Sequence, residues 1–222
     1  MKAIFCDFYG TIVHENGPIS IEVIKRVYNN GSAPSPEAII NYWRNSFRKR
    51  TDIACGENWR PQDAVALENI KEVLDYFNCK ENPVDLRDMM NEHWRNPPIY
   101  DDAKYFMENS VLPIYFVTNS DDKYILKAME NHNLKPAGVF TSEQAKYSKP
   151  KPELFKYALK QTGLNPTEVV HIGDSLDSDV ECPALLGIKT LWINRDNEPV
   201  PPGVEGVSDL YEARRVISSY LL

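Results

Sequence analysis

The sequence has no run of 18 or more apolar residues, so it offers no membrane-spanning helix. It also lacks a basic excess. Lysine and arginine number 25 against 32 acidic residues, a formal net charge of −7. That sign disfavours nucleic acid and anionic membranes as main partners. Cysteine is scarce: Cys6, Cys55, Cys79 and Cys182 are scattered, with no Cys-x-x-Cys pair. A zinc site is therefore not expected, and the thiols read as buried, reduced groups of a cytoplasmic protein. The first residues read as a strand that runs straight into an acid, not as a secretory leader. There is no internal repeat and no low-complexity tract, and no obligate protein partner is signalled.

What is present is an alternation of two patterns. Short apolar runs rich in β-branched and aromatic residues stand at 2–6, 112–118, 138–141, 169–173 and 189–193. Each suits a strand buried on both faces. Helical patterns follow at 124–132, 151–162, 179–186 and 208–222, the last with Ser208 as its expected cap. Strand and helix in turn imply an α/β fold with a parallel sheet. The first crossover is far too long for a loop. It carries helical patterns at 21–29, 36–50, 61–77 and 84–94, and residues 61–77 show a good amphipathic stripe. We therefore expect a catalytic core over 1–15 and 98–222, with an all-helical subdomain inserted over 16–97.

Four polar clusters stand at or just beyond the carboxyl ends of the expected strands, where open α/β sheets place their ligands. They are Asp7 with Thr11, Thr118-Asn119-Ser120, Lys149, and the acids Asp174, Asp177 and Asp179. Taken singly, each has an ordinary explanation as a cap, a loop acid or a solvated lysine. Taken in this order, they describe a site. Asp7 has the chemistry of a nucleophile that forms a covalent intermediate. Asp7, Asp174 and Asp179 suit a hard cation such as Mg2+, which prefers carboxylates and substrate oxygens. Thr118 suits the oxygens of a transferring phosphoryl group, and Lys149 suits their charge. With Lys149 the three acids leave a charge of −2, which a divalent cation cancels. At an effective dielectric of 20, one close carboxylate pair repels by roughly 4 kcal/mol.

These residues resemble the motifs of the haloacid dehalogenase superfamily of hydrolases, made mostly of phosphatases. Asp7-Phe8-Tyr9-Gly10-Thr11 is similar to its first motif, Thr118-Asn119-Ser120 to its second, Lys149 to its third, and Gly173-Asp174 to Asp179 to its fourth. The resemblance implies a Rossmann-like core, a helical cap at the insertion, an Asp7 nucleophile and usually Mg2+, with the Tyr9 backbone carbonyl as a further metal ligand. It implies a small anionic substrate, with Thr11 and Asn119 in substrate binding.

The motifs divide over the reaction. Phosphatases of this family usually carry a second aspartate at the position of Tyr9, as general acid and then base. A phenol near pKa 10 is a poor base at neutral pH. Tyr9 instead resembles the metal-independent 2-haloacid dehalogenases, as does Tyr42-Trp43-Arg44, whose arginine would receive the substrate. Asp174 points the other way, because its charge would repel an anionic 2-haloacid. The basic run Arg44, Arg48, Lys49 and Arg50 reads as a solvated face or as a partner for an anion. The expectation is a Mg2+-dependent phosphatase of a small phosphorylated metabolite. The alternatives are a 2-haloacid dehalogenase and a phospho-ligand-binding protein of reduced activity.

Overall fold

The computed structural model describes residues 1–221. Six strands form one sheet: β1 (Ala3–Cys6), β2 (Ile114–Thr118), β3 (Gly138–Thr141), β4 (Val169–Gly173), β5 (Lys189–Ile193) and β6 (Gly206–Val207). Their order is β3-β2-β1-β4-β5-β6, and every neighbouring pair is parallel. This is the Rossmann-like order, in which the chain reverses its direction of travel between β1 and β4. β1 is buried along its whole length, as a continuous apolar strand inside a parallel sheet should be. Ile4 pairs with Ile114 on one side and Val170 on the other, so β1 fixes the register of both halves.

The helices are α1 (Pro18–Asn30), α2 (Pro36–Ile53), α3 (Gln62–Tyr76), α4 (Pro83–Arg95), α5 (Asp101–Asn109), α6 (Asp122–His132), α7 (Ser142–Ala145), α8 (Glu153–Thr162), α9 (Cys182–Ala184) and α10 (Leu210–Ser219). Among the described residues none is long and apolar enough to cross a membrane. The chain divides into two compact units. One comprises residues 1–15, 98–119 and 132–222, and the other 16–97 and 120–131.

In the sheet unit, α8 buries Leu154, Phe155 and Ala158 in a cluster that contains Phe5, Val117 and Val169. The segments that leave and re-enter this unit run antiparallel. Val13 bridges Ile99, His14 N–H donates to Pro98 O at 2.8 Å, and Tyr100 N–H donates to Ile12 O at 3.1 Å. The expected cap at Ser208 is corrected: Asp209 caps α10, accepting from Glu212 N–H at 2.7 Å, while Ser208 donates to the Glu212 side chain. The expected helix over 179–186 is a wide π-helical turn at Leu176–Glu181 followed by α9. Pro183 has no N–H with which to extend a regular ladder there.

In the helical unit, α1 to α4 enclose Val23, Val27, Ile39, Ile70, Val73, Leu74 and Leu86. Ser35 and Asn82 cap α2 and α4, each followed by a proline in the first turn. Residues 120–131, expected with the core, group here instead. Tyr124 is fully buried and donates to Asn91 Oδ1 at 2.7 Å, with Trp94 edge-on at 5.2 Å. Asp121 accepts from Gln62 N–H at 2.8 Å, at the first turn of α3.

Helix α5 and strand β6 escape the sequence patterns, and one buried acid explains how α5 is held. Asp102 is 5% exposed and accepts from both guanidinium tips of Arg195, at 2.9 and 3.1 Å, and from Leu210 N–H at 2.8 Å. It ties α5 to the end of β5 and the start of α10. Asp102→Ala leaves a mostly buried guanidinium without its counter-charge. We expect it to lower stability by roughly 3 kcal/mol, read as a shifted urea midpoint with an unchanged slope. A midpoint within error of the parent would show that the pair is not structural.

Candidate active site

The switch point between β1 and β4 brings the acids together. Asp7 follows β1, and its N–H donates to Ile172 O of β4 at 2.9 Å. Asp174 follows β4, and Asp179 folds back from the π-helical turn. One carboxylate oxygen from each lies within 4.8 Å of the others. Two glycines make room for this. Gly10 has φ +97°, and a Cβ there would run into the Asp174 carboxylate. A Cβ on Gly173 would run into the Asp179 carboxylate.

Lys149 reaches into the cluster from the loop after α7. Its Nζ lies 2.7 Å from Asp7 Oδ1 and 2.6 Å from Asp179 Oδ1, and its side chain is 2% exposed. Asn119 is exposed at the end of β2 and spends both ends of its amide on the Lys149 backbone. It donates to Lys149 O at 2.8 Å and accepts from Lys149 N–H at 2.6 Å. Asn119, expected at the substrate, also braces the lysine loop. Thr118 is buried at the end of β2, and Thr11 is buried with its hydroxyl 3.3 Å from Asp174 Oδ1. Tyr9 is half-buried in the turn after Asp7, edge-on to Phe8 at 5.0 Å. Asp177 accepts from the Ser175 and Ser178 hydroxyls at 2.7 and 3.2 Å, as a loop acid does.

Arg44 belongs to the helical unit, exposed on α2. Arg50 of the same basic run pairs with Glu72 at 2.5 Å and Glu68 at 3.2 Å. Those residues, with Tyr42 and Tyr76, line an open groove of about 600 Å³ whose charges answer one another.

Sequence reading passed over His171. It is fully buried on β4, edge-on to Phe155, with Nε2 2.9 Å from Asp179 Oδ1. The signal was a lone polar residue inside an apolar strand, two residues before Gly173. Burial lowers its pKa against the pull of Asp179, so at neutral pH it is an uncharged imidazole that donates through Nε2–H.

The carboxyls divide by what surrounds them. Burial pushes Asp179 up, but Lys149 and His171 outweigh it and hold it down to about 2. Ser175 N–H adds a donor to its other oxygen at 3.2 Å. Asp7 has the same lysine at nearly the same distance, yet burial, with Asp179 adding to it, raises it to about 6. Asp174 is raised well above its ordinary value by burial and by the charges of Asp7 and Asp179. One shared ammonium does not neutralise three acids. Asp7 and Asp174 therefore ionise less readily than ordinary carboxyls, and a second positive charge would ease both. Hard oxygen donors and a shortage of positive charge fit a divalent cation.

A doubly wound parallel sheet with an acidic cluster and a lysine at its switch point defines the class, a Rossmann-like hydrolase. Within it, the chain belongs to the haloacid dehalogenase-like hydrolases, whose family model matches residues 1–187. It is 26% identical over 194 residues to the phosphoserine phosphatase of Thermus thermophilus, covering 83% of this chain and 69% of that protein. It is 31% identical over 110 residues to the HAD-hydrolase YfnB of Bacillus subtilis, covering 48% of this chain and less than half, 46%, of that protein. Its fold superposes on the L-2-haloacid dehalogenase of Xanthobacter autotrophicus with a TM-score of 0.78, at 17% identity and over 99% of each chain. The relatives thus include both phosphatases and dehalogenases.

The raised carboxyls would give any cation binding at this acidic cluster a pH signature. Ligation needs carboxylates, so Mg2+ binding near pH 6 should release protons, and affinity should climb as pH rises through about 6. Calorimetric Mg2+ titrations in buffers of different ionisation enthalpy read this directly. Binding with no proton release at pH 6 would contradict the charge assignment.

Proposed function

We propose that this protein is a Mg2+-dependent phosphatase of a small phosphorylated metabolite, acting through an aspartyl phosphate on Asp7. The observation that carries the reading is the retained Asp174 carboxylate, within 4.8 Å of Asp7 and Asp179. Asp7, Asp174, Asp179 and the Tyr9 carbonyl would hold the ion, which supplies charge neutralisation for the phosphoryl oxygens when bound.

The chain's own residues account for the remaining chemistry. The Asp7 carboxylate attacks phosphorus, a new P–O bond forms, and the bond to the leaving oxygen breaks with its electron pair. Water then attacks phosphorus, releasing inorganic phosphate and restoring Asp7. Lys149 counters the like-charge repulsion between carboxylate and phosphate, and Thr118 offers its hydroxyl to a phosphoryl oxygen. Asp179 and His171 keep the ammonium aimed at Asp7. Thr11, whose hydroxyl lies 3.3 Å from Asp174 Oδ1, is assigned with Asn119 to the substrate side of the cluster. Arg44 is the residue of the helical unit assigned to the anionic substrate.

A second reading, a 2-haloacid dehalogenase, has one observation behind it. Asp174 is pushed above its ordinary value by burial and by the charges of Asp7 and Asp179, so without a cation it ionises less readily and repels a carboxylate substrate less. Asp7 would then attack carbon and displace halide. Tyr9 and the dehalogenase-like fold agree with this chemistry. A chelator separates the two readings.

We expect para-nitrophenyl phosphate and acetyl phosphate to be hydrolysed with Mg2+ and not with EDTA. Asp7→Asn should reduce the rate on the order of 1000-fold or more. Halide release from 2-haloacids that persists in EDTA, with no phosphate release, would reverse the assignment. A further outcome follows from Tyr9. A positioned general acid is worth about 100-fold or more, so alkyl phosphates should turn over slower than aryl or acyl phosphates by about that factor. Equal rates would mean that another group supplies the leaving-group proton.

A further inference from the structure

The contact between Thr11 and Asp174 joins the first and fourth motifs, and β5 grips it from both sides. Thr11 donates to Asp174 Oδ1 at 3.3 Å, a long bond that does little to fix itself. Just beyond β5, Arg195 Nη2 donates to Thr11 O at 2.9 Å. Within β5, Trp192 Nε1–H donates to Asp174 O at 2.8 Å. Two side chains three residues apart thus hold the backbones on both sides of one weak contact.

We propose that Trp192 and Arg195 are positioning residues for the acidic site, setting the separation of the Gly10–Thr11 turn from the Asp174 carboxylate. They touch no reacting atom. Arg195 is itself rigidly held. Asp102 takes two of its donors, and the Tyr100 ring lies 3.7 Å from the guanidinium carbon. The His14 ring is also 3.7 Å from the Tyr100 ring, which leaves room for the two groups only on opposite faces. A planar guanidinium can serve Asp102 as a fork and still direct a donor at Thr11 O. A lysine ammonium is a point charge on a flexible stem and cannot reproduce that set. The indole of Trp192 is nearly buried, at 4% exposure, so its single donor is committed. Asp174 is the least buried of the three acids, and its carboxylate takes only a long bond from Thr11 where Asp7 and Asp179 take short ones from Lys149, so its placement leans on its backbone.

The test uses Trp192→Phe and Arg195→Lys, with Ile217→Val as a control of modest stability loss in α10. The metal arm rests on the phosphatase reading. There, each variant should weaken Mg2+ binding by about tenfold in calorimetry, while the control stays within twofold of the parent. The second arm needs no metal. Backbone amide resonances of Thr11 and Ile12 should move in Arg195→Lys, and those of Asp174 and Ser175 in Trp192→Phe, by more than in the control. Folded variants that bind Mg2+ as the parent does would overturn the proposal. If the parent binds no Mg2+, the phosphatase reading falls and the resonance arm alone decides. Shifts no larger than the control's would then sink the positioning role. If Arg195→Lys fails to fold, Trp192→Phe carries both arms, since a phenyl ring retains most of the packing and removes the donor.

Discussion

One buried ammonium, shared between two carboxylates, is the interaction on which the site depends. Lys149 bonds Asp7 and Asp179 at nearly equal distances, although the three come from separate stretches of the chain. Bringing them together requires β1 and β4 to be neighbours, the lysine loop to be braced by Asn119, and the turn after β4 to fold back on itself. Each of those arrangements leaves buried charge exposed to the others if it fails. The lysine is thus both the charge that makes the cluster tolerable and the reason that it remains incomplete. Asp179 gains an imidazole and a backbone N–H besides. Asp7 has no imidazole and only the Phe8 N–H besides the lysine, and Asp174 lies beyond the lysine's direct bonds.

This inequality gives the acids different duties. Asp179 is the firm anion that fixes Lys149. Asp7 is buried and less willing to ionise, so a more positive local field enlarges the share of it present as carboxylate, most of all below about pH 6. A protein that neutralised all three acids with its own side chains would be more comfortable empty and less able to recruit a cation or a phosphate. The electrostatic deficit is therefore a property of the ligand-ready state, built by leaving one position without protein charge.

Much of this was legible in the sequence because it is local. β1, β2 and β4 are short buried runs that end in Asp7, Thr118 and Gly173-Asp174, and a strand end followed by a polar cluster can be recognised from its neighbours alone. The helices between β1 and β2 were legible because amphipathic stripes such as that over 61–77 are local too. What escaped depends on partners far along the chain. Asp102 looks like an ordinary acid near the start of a helix until Arg195 arrives from beyond β5. Residues 120–131 follow a core strand, yet Tyr124 finds its place against Asn91 and Trp94. His171 is a polar residue in an apolar strand whose purpose is set by Asp179 across a turn. The bonds of Asn119 to Lys149 were not legible, because they join residues 30 apart in the chain.

The sheet order also governs how the chain is made. β1 lies between β2 and β4, and β4 begins only at Val169. At bacterial or eukaryotic elongation speeds, the stretch from Cys6 to Val169 takes roughly 10–30 s to synthesise. Throughout that interval the apolar Ala3–Cys6 segment lacks its second neighbour, while the inserted helices, built from local contacts, can collapse as soon as they leave the ribosome. Over that stretch the nascent chain therefore carries a hydrophobic strand with at least one edge unpaired, a segment open to aggregation and to chaperones.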